Sequence, residues 1–196
     1  HDVVYEGMLR DMRRELHAQF VGVLEASAST EGEEALAERI AMHATIGQLW
    51  PKAFHHARVA GNRAADRQAF REAVGMFDRA LLAARHLAPD ADLVRTAIDV
   101  RFELRNALQP LGQRDRIGDL LVEADAMALE LGDRRRHGWA KSYLADHYWI
   151  RGQAAPAEAA GEEALRVARE VDDLARGPMR TLVEKHCGGM RNGRKF

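Results

Sequence analysis

Few side chains in this sequence are spaced as catalysis or metal binding requires. The chain has nine histidines and one cysteine, but it contains no H-E-x-x-H segment and no paired cysteines. His55 and His56 are adjacent, so they point to different faces of a helix. Cys187 follows His186 in a glycine-rich segment, where adjacent residues seldom take the orientation of a nucleophile and its base. We therefore predict neither a metal site nor a catalytic residue.

Nucleotide-binding loops are absent from the sequence as well. It contains no G-x-x-x-x-G-K-S/T segment, whose backbone would cradle phosphates, and no G-x-G-x-x-G segment. Its carboxylates often occur as adjacent pairs, as at 33–34 and 162–163, which are typical of solvated helix faces. We expect the chain to bind no cofactor and to have no enzymatic activity of its own.

The charge balance limits the classes of partner. The chain has 29 Lys and Arg residues and 30 Asp and Glu residues, so its formal net charge is −1. The basic runs at 10–14 and 134–136 are short and have acidic neighbours, which favours surface salt bridges over direct nucleic-acid binding. No apolar run reaches the roughly 18 residues that indicate a membrane span. A single cysteine is typical of a reducing compartment, which predicts a cytoplasmic protein with no membrane contact.

The elements that would position any binding residues are helices. Apolar residues recur every three or four positions, as in 91–111 and 114–131, whereas the alternation typical of strands is almost absent. Gly112, Gly132 and Gly152 each follow such a segment at intervals of 20 residues, where a helix C-terminal cap is expected. Because short connections place consecutive helices antiparallel, we predict an all-α fold of antiparallel helix pairs.

A repeat of small and aromatic residues indicates how these pairs stack. Two sets of four residues share offsets of 12, 16 and 19 positions: Gly61, Ala73, Phe77 and Ala80, and Ala145, Ala157, Gly161 and Ala164. The pattern resembles the tetratricopeptide repeat, which the segment 68–81 matches closely. A further copy departs from it, because Ile117 and Leu121 replace the expected small and aromatic residues. The resemblance implies a right-handed solenoid over residues 34–176. An unrelated helical bundle is the alternative.

The first 27 residues carry a separate pattern. An acid, a valine and Tyr5 precede the pair Met8-Leu9, and a basic run then ends at Leu16-His17. This pattern resembles the last helices of the ATPase module in large bacterial signalling proteins, in which an adenylate/guanylate cyclase domain precedes the ATPase and a tetratricopeptide region follows. The resemblance covers about residues 2–175. It implies that 1–27 are C-terminal helices of an ATPase-type module. The small polar residues that follow predict a linker at 28–33, and the glycine-rich end without apolar periodicity predicts an irregular tail or a truncated helix at 177–196.

The same resemblance implies a function. The chain would be a protein-interaction and regulatory module, a fragment of a larger bacterial cyclase-like, ATPase-linked signalling protein. Its partners would be a protein segment or other domains of the parent chain. The alternative is the effector- or partner-sensing repeat region of an ATP-dependent transcription activator. A cyclase domain upstream, or a DNA-binding helix pair downstream, would distinguish the two architectures.

The resemblance also identifies candidate binding residues, because the first helix of each tetratricopeptide pair lines a concave groove. An arginine with an asparagine one turn later can clamp a carboxylate or a peptide backbone, and tryptophans are common anchors for a partner. Core packing of the tryptophans is the alternative. The predicted groove residues are Arg58, Asn62, Phe102, Asn106, Trp139, Asp146 and Trp149.

Overall fold

Helices joined by short turns make up the described part of the chain. A computed structural model describes residues 2–31 and 33–171, with side chains for 9–27 and 36–171. These ranges contain no strand, so the predicted all-α fold is confirmed. Among these residues, no helix is both long enough and apolar enough to span a membrane. The helices are α1 (Asp2–Glu31), α2 (Glu33–Ile46), α3 (Trp50–Asp66), α4 (Phe70–Ala84), α5 (Ala91–Leu108), α6 (Arg114–Leu131), α7 (Arg134–Ile150) and α8 (Ala154–Glu170).

The helices group into two units. The first ends at Leu93 and the second begins at Val94. In the first unit, α1 packs against α2, α2 against α3, and α3 against α4. In the second, α6 packs against α7 and α7 against α8, while Ile98 of α5 is buried against Ala124 and Ala128 of α6. Within each unit the helices therefore pack in chain order.

Five of the turns between helices have the same construction. Gly112, Gly132 and Gly152 have positive φ angles of 69°, 70° and 72°, as their predicted role in helix caps requires. Gln48 and Gln68 adopt the same left-handed conformation, with φ angles of 56° and 59°. In each turn the next residue donates its N–H to the carbonyl five positions earlier, which is the outer bond of a Schellman motif. These bonds join Leu49 to Ala44, Ala69 to Ala64, Gln113 to Leu108, Asp133 to Ala128 and Gln153 to Tyr148.

Close helix approaches depend on the small residues of the repeat pattern. A Cβ atom on Gly61 would lie only 2.6 Å from Cε1 of Phe77, so glycine allows the phenyl ring of α4 to pack directly against α3. Phe77 is fully buried, and so are Ala73 and Ala80 on the same helix and Ala164 on α8. The burial expected from the offsets is confirmed at these positions.

The region of the predicted linker, 28–33, is helical on both sides of residue 32, and its assignment as a linker stays a prediction. Helix α1 continues through Glu31, past the predicted boundary at residue 27, and α2 begins at Glu33. The small polar residues there are compatible with a helix, because a hydroxyl can bond to the preceding turn; Ser27 Oγ donates to the carbonyl of Val23 at 3.1 Å. The assignment of 1–27 to an ATPase-type module stays a prediction. The predicted tail at 177–196, with His186 and Cys187, lies outside the described residues.

Candidate functional site

A bidentate ion pair fixes the start of α7 against α5 in the second unit. Arg136 donates from Nη2 to Oδ2 of Asp99 at 2.7 Å and from Nε to Oδ1 at 2.8 Å. The same arginine donates its backbone N–H and its Nη1 to Asp133, the N-cap of α7, at 3.0 and 2.8 Å. Hydrogen bonding to Asp99 raises the pKa of Arg136, although burial opposes it. Burial alone would raise the pKa of Asp133, but the bonds from Arg136 lower it. Both groups therefore stay charged, which holds the two helices together.

Next to this ion pair, three aromatic side chains form a cleft. The ring of Tyr143 meets Phe102 edge-on, with centroids 5.3 Å apart, and lies 5.6 Å from the ring of Trp139. The cleft has a volume of about 330 Å³, and Asp99, Arg135 and Arg136 also line it. We call these six residues the aromatic cleft. Arg135 is exposed and forms no ion pair or hydrogen bond with any side chain that the structure describes. The cleft thus combines an apolar floor with one uncompensated cation.

Arg105 of α5 contacts Tyr143 of the aromatic cleft and Asp146 of α7. Its guanidinium lies over the ring of Tyr143, 4.6 Å from the centroid, and Nη2 donates to Oδ2 of Asp146 at 3.1 Å. Nη1 donates to the side-chain oxygen of Asn106 at 3.0 Å. The side chains of Arg105 and Asp146 are only 13% and 11% exposed, so this ion pair is largely desolvated and sensitive to loss of either partner. Burial raises the pKa of Tyr143 although Arg105 opposes the rise.

The predicted groove residues lie on three helices: α3 of the first unit, and α5 and α7 of the second. Arg58 and Asn62 lie on α3 of the first unit, and both are partly buried. Asp146 is buried and already paired with Arg105, so it has little capacity for a partner. The other five predicted residues all lie on α5 and α7 of the second unit: Phe102, Asn106, Trp139, Asp146 and Trp149.

The two tryptophans of α7 have different surroundings. Trp139 is partly buried and packs against Ala164 and Ala168 of α8 while it lines the aromatic cleft. It therefore makes the core contacts of one alternative and also lines a cleft; its role in binding a partner stays a prediction. Trp149 is 38% exposed and does not line the cleft.

Sequence reasoning missed three residues of this region: Arg105, Arg135 and Tyr143. Tyr143 follows Trp139 by four residues, so helical spacing places both on one face, and that spacing could have identified it. Arg105 occupies the position of the repeat pattern where Gly61 and Ala145 stand in the other pairs. An arginine at a position reserved for small residues is a departure from the pattern that could have indicated a specific role.

A buried histidine connects three helices behind the cleft. His137 of α7 is 3% exposed; its Nδ1 lies 2.7 Å from Oδ1 of Asp125 on α6, and its Nε2 lies 2.9 Å from Oε1 of Glu163 on α8. Imidazole can donate to both carboxylates only in its protonated form. Hydrogen bonds from Arg166 and His137 lower the pKa of Glu163 to about 2 against the opposing effect of burial. This network positions α7 between its neighbours, and sequence reasoning missed it because its residues lie 12 and 26 positions apart.

Metal coordination finds no support among the described residues, where no group of three or more His, Cys, Asp or Glu side chains is arranged to hold an ion. The groups that the aromatic cleft offers are its three aromatic rings, the exposed guanidinium of Arg135 and the polar rim provided by Asp99 and Arg136. These groups can bind a mixed apolar and acidic surface. They offer no nucleophile activated by a neighbouring base.

Comparisons with known proteins bear on the fold alone. No protein-family model matches the sequence, and no curated protein matches it. Among solved structures, the chain is similar to BtubC (BKLC) from P. vanneervenii, with a TM-score of 0.62 and 21% sequence identity. The match covers 86% of this chain and 66% of that chain, so this chain spans just under two thirds of the length of BtubC. The chain therefore shares its all-α fold with a known protein over the part that the match covers.

Proposed function

We propose that the chain is a protein-interaction and regulatory module, with no catalysis of its own, that binds a peptide segment in the aromatic cleft. The cleft itself is the observation that carries the proposal. Its three rings, from Phe102, Trp139 and Tyr143, expose apolar surface that no described side chain covers completely. Arg135 beside them has no side-chain partner within the described part of the chain. The chemistry suits a segment in which an acidic residue follows or precedes an aromatic or aliphatic one.

The proposed architecture is a tetratricopeptide-like, right-handed solenoid of stacked antiparallel helix pairs. Five turns with the same left-handed residue and the same hydrogen bond support it, because a repeated turn gives consecutive pairs a repeated geometry. The shared offsets of the small residues, all buried at the positions described, support it further. In such a solenoid, the first helices of successive pairs form a continuous binding surface, and α5 and α7 would be two of them.

The proposed context is a bacterial cyclase-like, ATPase-linked signalling protein in which the segment comes from a partner or from another domain of the parent chain. This part of the proposal rests on the resemblance of residues 2–175 to that group. It is separable from the proposed binding, because the aromatic cleft would bind its segment in either of the parent architectures considered.

Selection of peptides from a random library, with the purified chain as the target, tests the binding. We expect the enriched peptides to share an acidic residue next to an aromatic or aliphatic residue. Fluorescence polarisation then compares the affinity of the wild-type chain with that of Trp139→Ala, which should bind about tenfold or more weakly because it loses a central anchor. Trp149→Ala is the matched control, since it removes the same residue type from the same helix but outside the cleft.

A charge reversal protects this test from effects on folding. Trp139 also packs against α8, so its removal lowers stability; Arg135 is exposed, and Arg135→Glu should leave the melting temperature unchanged. The variant should reject the acidic peptides and accept versions in which lysine replaces the acid. Equal loss of affinity in Trp149→Ala and Trp139→Ala, or unchanged binding by Arg135→Glu, would contradict the assignment of the cleft.

A further inference from the structure

The second unit contains another cavity, with a different chemistry. It lies where the C-terminal halves of α5 and α7 meet the first turn of α6, and its volume is about 80 Å³. This volume exceeds the space that one water molecule needs and suits a small ligand. We call it the basic cavity and define it by the six of its lining residues that matter here: Arg105, Arg114, Ile117, His147, Ile150 and Arg151.

The three arginines of the basic cavity differ in their pairing. Arg105 is paired with Asp146 at 3.1 Å, and Arg151 is paired with Asp115, whose side chain is 89% exposed. Arg114 forms no ion pair or hydrogen bond through its side chain within the described part of the chain. Asp115, Asp146 and Asp119 all act on His147 electrostatically. Of these three, only Asp146 lines the cavity, where Arg105 pairs with it. One guanidinium charge at the cavity is therefore left without a counter-charge, which suits a ligand with a single negative charge.

Two further features of the cavity concern its donors. Nε of Arg105 has no hydrogen-bond partner among the described residues, but it is fully buried, so a ligand reaches it only after the side chain moves. Residues of the first turn of α6 line the cavity, and its N-cap, Gln113, makes no side-chain capping bond. The partial positive charge of that helix end thus adds to the field of the arginines. Both features favour an anion over a neutral molecule.

The position of His147 depends on a glycine. A Cβ atom on Gly118 would lie 2.7 Å from Nε2 of His147, so only glycine lets the imidazole rest directly on the backbone of α6. Burial, and secondarily the charge of Arg151, lower the pKa of His147. The ring is therefore neutral at pH 7 and offers one donor and one acceptor beside the guanidinium groups. Gly118 therefore fixes where the His147 ring lies in the wall of the cavity.

Apolar side chains complete the basic cavity. Ile117 is buried at its inner wall, and Ile150 is 48% exposed at its mouth. A bare inorganic anion would leave both uncovered, whereas a ligand with a short branched aliphatic group would cover them. We propose that the basic cavity binds a small aliphatic carboxylate, with the carboxylate between Arg105 and Arg114 and the aliphatic group on Ile117 and Ile150. Guanidinium groups match the planar fork of a carboxylate, which gives the site its preference.

Titration with 3-methylbutanoate, followed by nuclear magnetic resonance shifts of the backbone amides at constant ionic strength, tests this proposal. We expect saturable shifts at residues of α6 and α7 around the cavity. The uncharged 3-methylbutanamide should bind at least tenfold more weakly because it lacks the charge. Acetate and inorganic phosphate should also bind at least tenfold more weakly because they lack the aliphatic group.

Two matched variants assign the binding to the cavity. Arg114→Gln removes the unpaired cation from an exposed position without breaking an ion pair, and it should weaken 3-methylbutanoate binding at least tenfold. Arg169→Gln removes an exposed arginine from α8, outside both the cavity and the aromatic cleft and without a side-chain partner among the described residues, and it should leave this affinity unchanged. Equal binding of the carboxylate and the amide, equal binding of inorganic phosphate, or wild-type affinity in Arg114→Gln would each overturn the proposal.

Discussion

The two glutamines in left-handed turns give the sharpest test of how these turns work. Gln48 and Gln68 occupy the same position as Gly112, Gly132 and Gly152 and have positive φ angles. A residue with a Cβ atom adopts this conformation at a cost, because Cβ approaches the following carbonyl oxygen. We therefore expect Gln68→Gly to stabilise the protein, although glycine usually destabilises it.

The magnitude follows from two opposing effects. Relief of the left-handed conformation contributes about 1–2 kcal/mol, and the greater freedom of glycine in the unfolded chain costs about 0.5–1 kcal/mol. Both glutamine side chains are exposed, so their removal breaks no packing. The two ranges leave an expected net gain of about 0–1.5 kcal/mol for each turn, with a central value of about 0.75 kcal/mol. Because the turns are separate and share no partner, the double variant should gain about twice as much.

Urea unfolding followed by circular dichroism measures the effect as a shift of the midpoint at constant slope. Gln19→Gly is the matched control, because Gln19 is an exposed glutamine inside α1. Glycine there should destabilise by about 0.5–1 kcal/mol, since the residue has helical φ. The opposite signs of the two substitutions are the expected result. If Gln68→Gly lowers the midpoint as Gln19→Gly does, the left-handed turn carries no strain and the reasoning is refuted.

Three further predictions follow from the packing, the charges and the sequence motifs. Gly61→Ala should destabilise the protein by about 1–3 kcal/mol, because its Cβ would overlap the ring of Phe77. Gly75→Ala, with open space around it, should stabilise the protein by about 0.5–1 kcal/mol. Thermal unfolding should therefore show opposite shifts of the melting temperature for the two variants. Glu163, whose pKa is lowered from 4.5 to about 2, contributes stability that is present above pH 4.5 and is lost as the pH falls toward 2. The difference in unfolding free energy between the wild type and Glu163→Gln should therefore shrink over that range, and a constant difference would contradict the assignment. Because no phosphate-binding loop is present, calorimetric titration with magnesium and ATP should detect no micromolar binding; a saturable signal would reveal a missed site.

The helical elements were largely predictable from local chemistry, and the exceptions have local causes. Glycines spaced 20 residues apart mark the ends of α5, α6 and α7 because a left-handed cap favours glycine. The turns at Gln48 and Gln68 were not recognisable in this way, because the packing of the flanking helices imposes the conformation on a residue that does not prefer it. The serines near residue 28 indicated a break, but they are equally compatible with a helix when their hydroxyls bond to the preceding turn, as that of Ser27 does.

The candidate site was predictable only in part. Phe102 and Trp139 were identified because the resemblance to the tetratricopeptide repeat places them on the first helix of a pair, which requires no knowledge of contacts. The partners of Arg105 could not be predicted from the sequence. Its ion pair with Asp146 joins residues 41 positions apart and depends on how α5 and α7 pack. Asp146 was predicted as a groove residue, but its burial and its ion pair with Arg105 were not. Both depend on the packing of the neighbouring helix.

Arg105 has a consequence for the thermodynamics of the second unit. It lines the basic cavity and at the same time lies over Tyr143 in the aromatic cleft. A ligand that draws its guanidinium away from Asp146 changes the cation–π contact at Tyr143, so occupancy of one site alters the free energy of binding at the other. Linkage makes that effect reciprocal: the factor by which a carboxylate changes peptide affinity equals the factor by which the peptide changes carboxylate affinity. If both sites bind the ligands proposed for them, this one side chain would couple them, and the concentration of a small anion would then change the affinity for a protein partner.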